Sequence, residues 1–258
     1  MSDLGAIVAR LEAIAPLGLA GSWDNVGLLL EGTRDIRRVF LCVDLVPRVV
    51  DEALAADADL IVAYHPPIFA GLKRLTSSTA RGTSLLRLIR AGVHVYSPHT
   101  ALDAARDGMG DWLLEPFGAL AEVAPIVPDA LDPTVGTGRR ARLSVPVPLS
   151  ALLPRLKQHL GLDHLRVAAG SRAIEHVAVC PGAGGSVFEQ VTGVDLLLTG
   201  EMRHHDVLRW GEEHGTSVVL TDHTNTERGF LPRLAHRLAD DGLRVIVSEV
   251  DADPLVVR

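Results

Sequence analysis

The sequence predicts an α/β protein made of two similar α/β domains. Three observations lead to this fold class: strand and helix patterns alternate along the 258 residues, 47% of the residues are hydrophobic, and two segments resemble each other. The length suffices for one large domain or two modest ones, since single cores stop growing at roughly 250–300 residues. Only 4% of the residues are aromatic, so alanine, leucine and valine must build the core.

Short apolar runs between polar or glycine-rich segments predict the strands. These runs are Val39–Val43, Asp59–Tyr64, Val93–Ser97, Arg142–Val147, Val177–Cys180, Asp195–Thr199, Ser217–Thr221 and Arg244–Val250. A loop is expected at Asp129–Arg140. The alternation of these strands with helices predicts sheets covered by helices.

Apolar residues at helical spacing predict the helices. The first is an amphipathic N-terminal helix with Ile7, Leu11 and Ile14 on one face. The others are Arg48–Ala56, Ser84–Ala91, a helix capped by Ser150 that runs to about Leu160, His205–His214 and Phe230–Asp240.

The second half of the chain echoes the first. RVFLCVDLVPRVVDEALAADADLIVAYHP resembles HVAVCPGAGGSVFEQVTGVDLLLTGEM, because each has a strand with a cysteine, a helix, and a strand that begins Asp-Leu. Further on, the pattern His-Thr-x-x-acid occurs at His99–Asp103 and again at His223–Glu227. We interpret this as a duplicated α/β half, with domains at residues 1–123 and 124–258 and a Pro/Gly/Thr-rich segment 125–148 near the boundary. Since open α/β sheets bind ligands at the carboxyl ends of strands, we expect a shared cleft.

Histidines and acids collect at these predicted strand ends. They are His65, His99, Asp103, Glu201, His204, His205, His223 and Glu227. Imidazole and carboxylate groups together suit zinc, iron or manganese, and Asp103 and Glu227 are the candidates to bridge two ions. A single histidine after a strand is more often a hydrogen-bonded structural residue, and the pattern alone leaves both interpretations open.

Charge and composition exclude several other classes. The net charge is -7 and no block of lysine and arginine is present, so a nucleic-acid footprint is not expected. Cys42 and Cys180 lie in apolar runs and are expected to be buried structural thiols. We see neither a signal peptide nor an apolar run of roughly 18 residues, so no membrane association and a cytoplasmic location are predicted.

Two turns each allow two interpretations. The glycine-rich turn Pro181–Ser186 follows a predicted strand, and it either presents backbone N–H groups to a phosphate or is a plain tight turn. The early turn Ser22–Gly27 is expected to be a packed loop, although Asp24 and Asn25 could line the cleft.

Five segments carry a resemblance to a known family. They are SWDNVGLLLEG, YHPPIFAGLKRL, VYSPHTALDAARDGMGDWL, LLLTGEMRHHDVL and DHTNTERGFL. They resemble the signatures of the Nif3-like dinuclear metal centre family (NGG1-interacting factor 3), also known as GTP cyclohydrolase type 2 homologues. The resemblance spans Trp23–Leu231 and is weakest over Ala119–Arg172.

The resemblance implies a dinuclear metal centre in a cleft between two α/β domains, and a homohexamer built as a trimer of dimers. The ligands that it implies are His65, Asp103, His223 and Glu227. Bacterial members commonly have His-His where this chain has Tyr64 and His65, so a fifth ligand, and a count of one or two ions per chain, stay open.

The leading functional hypothesis is a metal-dependent hydrolase with a small nucleotide-like substrate. A divalent ion lowers the pKa of a bound water to about 7. In this hypothesis His99, His204 and His205 are the catalytic residues, which orient ligands or carry protons. The competing hypothesis is a metal-binding scaffold or regulatory partner without turnover, which the absence of histidine at position 64 favours.

Overall fold

The computed structural model describes residues 3–239 and 242–256, which form two compact units of mixed α/β structure. Among these residues, the first unit comprises 3–102, 230–239 and 242–252, and the second comprises 103–229 and 253–256. The expected domains, 1–123 and 124–258, have different limits, because the first unit also contains a segment from late in the chain. That division of the sequence stays a prediction.

The strands are, in chain order, β1 (Gly27–Leu30), β2 (Arg38–Cys42), β3 (Leu60–Ala63), β4 (His94–Ser97), β5 (Leu120–Pro128), β6 (Gly136–Val147), β7 (Arg166–Ala168), β8 (Ile174–Cys180), β9 (Leu196–Thr199), β10 (Ser217–Leu220) and β11 (Arg244–Val247). The α-helices are α1 (Leu4–Ile14), α2 (Pro47–Ala55), α3 (Ala80–Ala91), α4 (His99–Ala104), α5 (Met109–Leu114), α6 (Leu149–Leu160), α7 (Gly185–Phe188), α8 (His204–Leu208) and α9 (Leu231–Leu238). None of the helices in the described ranges combines the length and apolar character needed to cross a membrane.

The first unit is built on a sheet that, over the described residues, has five strands in the order β1-β4-β3-β2-β11. Strands β11, β2, β3 and β4 run parallel, and β1 pairs antiparallel with β4. The runs in β2 and β3 are apolar without alternation, which is typical of parallel strands buried on both faces. Residues of α2 and α3, including Val50 and Leu88, pack against one face of this sheet with Phe40 and Ile61.

The second unit has, within the described residues, a six-stranded sheet in the order β5-β6-β8-β9-β10-β7. Strands β8, β9 and β10 run parallel, whereas β5, β6 and β7 pair antiparallel with their neighbours. Phe188 and Trp210 pack with Ala178, Leu197 and Val218 of the parallel strands. Both sheets therefore contain a parallel core with antiparallel additions.

The aspartates of the two Asp-Leu pairs in the sequence, Asp59 and Asp195, make equivalent contacts. Asp59 accepts backbone N–H groups of Arg37 and Arg38 at 3.0 and 2.9 Å, where β2 begins. Asp195 accepts those of Glu175 and His176 at 3.0 and 2.9 Å, early in β8. Each aspartate thus satisfies N–H groups of the neighbouring strand at the amino end of the sheet.

Several predicted elements need correction. The loop Asp129–Arg140 is wrong in its second part, because β6 already begins at Gly136. Ser150 does not cap α6, since the cap residue is Pro148 and the helix begins at Leu149. The helix expected at His205–His214 is α8 followed by a π-helical turn over Arg209–Glu213. The helix expected at Phe230–Asp240 is α9, and Asp240 lies outside the described residues.

The buried guanidinium of Arg139 holds the beginning of the second unit together. Its side chain is 2% exposed and donates to the carbonyls of Gly136 and Gly138 at 2.6 and 2.9 Å. It also donates to the carbonyls of Ala104 and Ala105 at 3.1 and 2.9 Å and forms an ion pair with Asp111. Arg139 therefore fixes the residues that directly follow Asp103.

We expect Arg139→Met to lower the free energy of unfolding by about 3–5 kcal/mol, because it leaves several backbone carbonyls and the partly exposed Asp111 carboxylate without their donor. Arg140→Met is the matched control, since the neighbouring side chain is exposed. Denaturant unfolding of both variants measures the difference. Equal stability of the two variants would contradict this role.

Candidate metal centre

In the first unit, His65 stands just beyond the carboxyl end of β3. The pairing with β2 continues past the strand, since the N–H of His65 donates to the carbonyl of Val43 at 3.0 Å. The ring is half-buried, and its Nδ1 lies 2.9 Å from Oδ1 of Asp44, two residues beyond the end of β2. The buried ring of Tyr64 packs beside it, with ring centroids 5.1 Å apart.

His99 begins α4 in the same unit and is held by Asp24. Its Nδ1 lies 2.8 Å from both carboxylate oxygens of Asp24. Thr100 donates its backbone N–H and its hydroxyl to the same carboxylate. The ring of His99 lies edge-on to those of His65 and Tyr64, with centroid distances of 5.4 and 5.5 Å. The predicted residues His65 and His99 therefore lie together, and Asp24 belongs to their surroundings.

The contacts of Asp24 change its ionisation. Burial alone would raise the pKa of this carboxyl group, but hydrogen bonds from His99 and Thr100 outweigh burial and lower the pKa to about 2. Asp24 is therefore ionised at neutral pH and can only accept hydrogen bonds. Nδ1 of His99 consequently donates the hydrogen bond to Asp24, and Nε2 is the ring nitrogen that Asp24 does not engage.

In the second unit, His223 and Glu227 lie on one short turn after β10. The residues His223–Thr226 form a 3-10 turn, and His223 Nε2 lies 3.5 Å from Oε1 of Glu227. Nδ1 of the same ring lies 2.9 Å from Oε1 of Glu201. Glu227 is 2% exposed. This short turn therefore brings the His223 ring and the buried Glu227 carboxylate next to each other.

Asp253 holds this turn from the C-terminal segment. Thr224 donates its N–H and its hydroxyl to Oδ2 of Asp253 at 3.3 and 2.7 Å. Thr224 follows His223 as Thr100 follows His99, so both His-Thr steps are fixed by a carboxylate from a distant part of the chain.

The glycine-rich turn Pro181–Ser186 lies against these residues. Gly182 has φ +59°, and a Cβ atom there would lie 2.8 Å from His223 Nε2 and 3.0 Å from Glu227 Oε1. Its N–H donates to Thr226 Oγ1 at 2.8 Å, and the N–H of Gly184 donates to Thr199 Oγ1 at 2.9 Å. Because protein hydroxyls engage these N–H groups, the contacts favour a tight turn over a phosphate loop. The missing side chain at Gly182 keeps space open beside His223 and Glu227.

The negative charges of Asp103 and Glu227 both influence the pKa of the buried Cys180 thiol. Burial raises the pKa of Cys180, and the negative charges of Asp103 and Glu227 raise it further. The two predicted acidic ligands of the second unit are therefore near one thiol. Cys42 and Cys180 are buried and form no disulfide, as the sequence predicted.

The other predicted catalytic residues are placed differently. His204 and His205 begin α8 with exposed rings that contact each other, with centroids 5.4 Å apart. In the part of the chain that the structure describes, neither ring has a hydrogen bond or ion pair to a candidate ligand. Sequence reasoning missed Asp44 and Asp253. The position of Asp44 just after an apolar run was an available signal, whereas Asp253 offered none.

His65 in the first unit, and His223 and Glu227 in the second, offer imidazole nitrogen and carboxylate oxygen atoms of the kinds that bind divalent metals. The sheets and this donor set define the class: a mixed α/β protein with a histidine–carboxylate site.

Comparisons with known proteins identify the family. A model of Duf34/NIF3 (NGG1p interacting factor 3) matches residues 2–254. The chain is 42% identical to the NIF3 homolog of Schizosaccharomyces pombe over 95% of this chain and 94% of that protein. It is 39% identical to NGG1-interacting factor 3 of Saccharomyces cerevisiae over 99% of this chain and 97% of that protein. A solved structure of a Bacillus cereus protein related to NIF3 has a TM-score of 0.84 at 20% identity and 98% coverage of each chain. The chain belongs to the Duf34/NIF3 family, as its resemblance predicted.

We expect Asp24→Asn to lower the free energy of unfolding by roughly 2 kcal/mol at pH 7, because the substitution removes an ionised group whose pKa is depressed from 3.8 to about 2. A depressed carboxyl pKa stabilises the fold above the unfolded value and loses its effect as the pH falls through the folded value. The difference from the unchanged protein should therefore shrink between about pH 4 and pH 2. Denaturant unfolding across this range measures it, with the exposed Asp163→Asn as control. A difference independent of pH would contradict the assignment.

Proposed function

We propose that this protein binds a divalent metal ion through His65, His223 and Glu227, with Asp103 as a further ligand. The observation that carries the proposal is the turn that presents His223 Nε2 and the buried Glu227 carboxylate to one space that Gly182 leaves open. Nitrogen and oxygen donors of this kind suit zinc, iron or manganese. A cation would also balance the charge of Glu227 in its buried position.

The ion count of one or two per chain depends on position 64. Tyr64 is buried with its ring against His65, where bacterial relatives commonly have a second histidine. A metal site beside Tyr64 would have one imidazole ligand fewer than the corresponding site in those relatives. Asp103 and Glu227 are the carboxylates proposed to bridge if two ions bind.

A duplicated half accounts for the paired contacts. Strands β2, β3 and β4 correspond to β8, β9 and β10, and Asp59 corresponds to Asp195 in its contacts. The two His-Thr steps, each held by a distant aspartate, correspond in the same order. The metal would then lie in a cleft between the two halves.

The activity proposed for this site is metal-dependent hydrolysis of a nucleotide-like substrate. A bound divalent ion supplies Lewis acidity to an oxygen atom. His99 is the residue proposed to accept a proton, because its Nδ1 donates to Asp24 and its Nε2 is not engaged by Asp24. His204 and His205 are also proposed as proton carriers, but their exposed positions on α8 lend this role less support. The homohexamer is proposed on the family resemblance, and the cytoplasmic location remains a prediction from the sequence pattern.

A second candidate function is a metal-binding scaffold or regulatory partner without turnover. The specific observation in its favour is Tyr64, which removes one imidazole from the site. The name of the Saccharomyces cerevisiae relative describes that protein as an interacting factor. Metal-dependent turnover on a panel of nucleotides and phosphoesters separates the two functions.

We expect the purified protein to bind a divalent ion and to lose it on chelation, and Glu227→Ala to weaken binding more than His99→Ala. Glu227 provides a ligand atom, whereas an outer residue such as His99 typically changes metal affinity only about 10–100-fold. Elemental analysis and titration with zinc measure both effects. Metal content well below one ion per chain, or unchanged binding by Glu227→Ala, would overturn the proposed site.

We expect Gly182→Ala to abolish metal binding, because the added methyl group would occupy the space beside His223 Nε2 and Glu227 Oε1. Gly161→Ala is the matched control: Gly161 has φ +68°, close to the +59° of Gly182, but a Cβ atom there would meet nothing within 4 Å. Both variants carry the backbone cost of alanine at positive φ, roughly 1 kcal/mol. Zinc titration compares them, and equal affinity of both variants would exclude an open site beside Gly182.

A further inference from the structure

Two carboxylates stand behind the candidate ligand histidines. Nδ1 of His65 lies 2.9 Å from Asp44 in the first unit, and Nδ1 of His223 lies 2.9 Å from Glu201 in the second. We propose that Asp44 and Glu201 are positioning residues that aim the Nε2 atoms of these two histidines at the metal. This inference rests on the proposed metal-binding function.

The physical reason lies in the two nitrogens of imidazole. An ionised carboxylate only accepts hydrogen bonds, so Nδ1 of each ring carries the proton and Nε2 presents its lone pair. The same hydrogen bond restricts rotation of the ring and so directs Nε2, as in the carboxylate–histidine pairs common at metal sites. In the second unit, Nε2 of His223 is the atom that faces Glu227.

In both units, the carboxylate and its histidine follow two neighbouring parallel strands. Asp44 follows β2, and its partner His65 follows β3, which pairs parallel with β2. Glu201 follows β9, and its partner His223 follows β10, which pairs parallel with β9. In the proposed duplication β2 corresponds to β8 and not to β9, so the two pairs occupy different places in the repeat. The Glu201–His223 pair therefore cannot simply be a duplicated copy of the Asp44–His65 pair. That the same carboxylate–histidine contact occurs at two different places favours a common role in positioning the histidines.

The exposure of the two carboxylates indicates that they position the histidines and contribute little to folding stability. The side chain of Asp44 is 32% exposed and that of Glu201 is 60% exposed. Ion pairs at such exposure contribute little to the stability of a protein. Loss of either carboxylate should therefore affect the aim of the histidine far more than the fold.

The test compares zinc affinity in the full chain, measured by competition with a chelator, for Asp44→Ala and Glu201→Ala. We expect each to bind zinc about 10–100-fold more weakly, with unchanged unfolding of the metal-free protein. Asp44→Asn and Glu201→Gln retain an oxygen that can accept the hydrogen bond, so they should recover part of the affinity. The absorption spectrum of the cobalt-loaded protein should shift in the alanine variants, because the ligand geometry changes.

Asp51→Ala and Glu189→Ala are the controls. Both side chains are exposed carboxylates that pair with arginines, Arg87 and Arg209, and not with a histidine. Zinc affinity of Asp44→Ala and Glu201→Ala equal to that of the controls would overturn the inference while leaving the proposed function intact. A loss of affinity that tracks a loss of metal-free stability, without recovery in the Asn and Gln variants, would also overturn it. Failure of the unchanged protein to bind zinc or cobalt would overturn the proposed function and this inference with it.

Discussion

Parallel strand pairing is the constraint on which the candidate site depends. In each sheet the neighbouring parallel strands end at the same edge, so residues after different strands come together although they are far apart in sequence. Asp44 and His65 meet after β2 and β3, and Glu201 and His223 meet after β9 and β10. Backbone groups lose their strand partners at this edge, and polar side chains there can bond to one another, to the backbone or to a ligand.

Two carboxylates at the opposite edge of the sheets support this arrangement. Asp59 and Asp195 each accept two N–H groups from the adjacent strand, which leaves them satisfied although they are largely excluded from water. Because each contact joins the start of one strand to its neighbour, it also disfavours a shift in strand register. The ends of the strands, and the histidines that follow them, are positioned as a consequence.

Sequence reasoning predicted the parallel strands β2, β3, β8, β9 and β10 correctly, because they are short apolar runs buried on both faces. Strands β1, β5 and β7 were missed: β7 has three residues, and β5 includes two prolines, which weaken a strand pattern. Candidate ligands could be predicted as residue types at strand ends. The position of Asp44 after an apolar run was a signal that was not used, whereas Asp253 could not be predicted, since its contact with Thr224 depends on how distant segments pack.

The threonine of each His-Thr step has a structural role that is separate from the candidate ligands. Thr100 and Thr224 donate both a backbone N–H and a hydroxyl to one aspartate, so the start of each turn is fixed at two points. A turn fixed in this way holds the preceding histidine at a defined distance from the acid one helical turn later. The His-Thr-x-x-acid pattern therefore encodes the rigidity of the turn as well as the donor atoms, which is why its recurrence in both halves of the chain carried more information than the histidines alone.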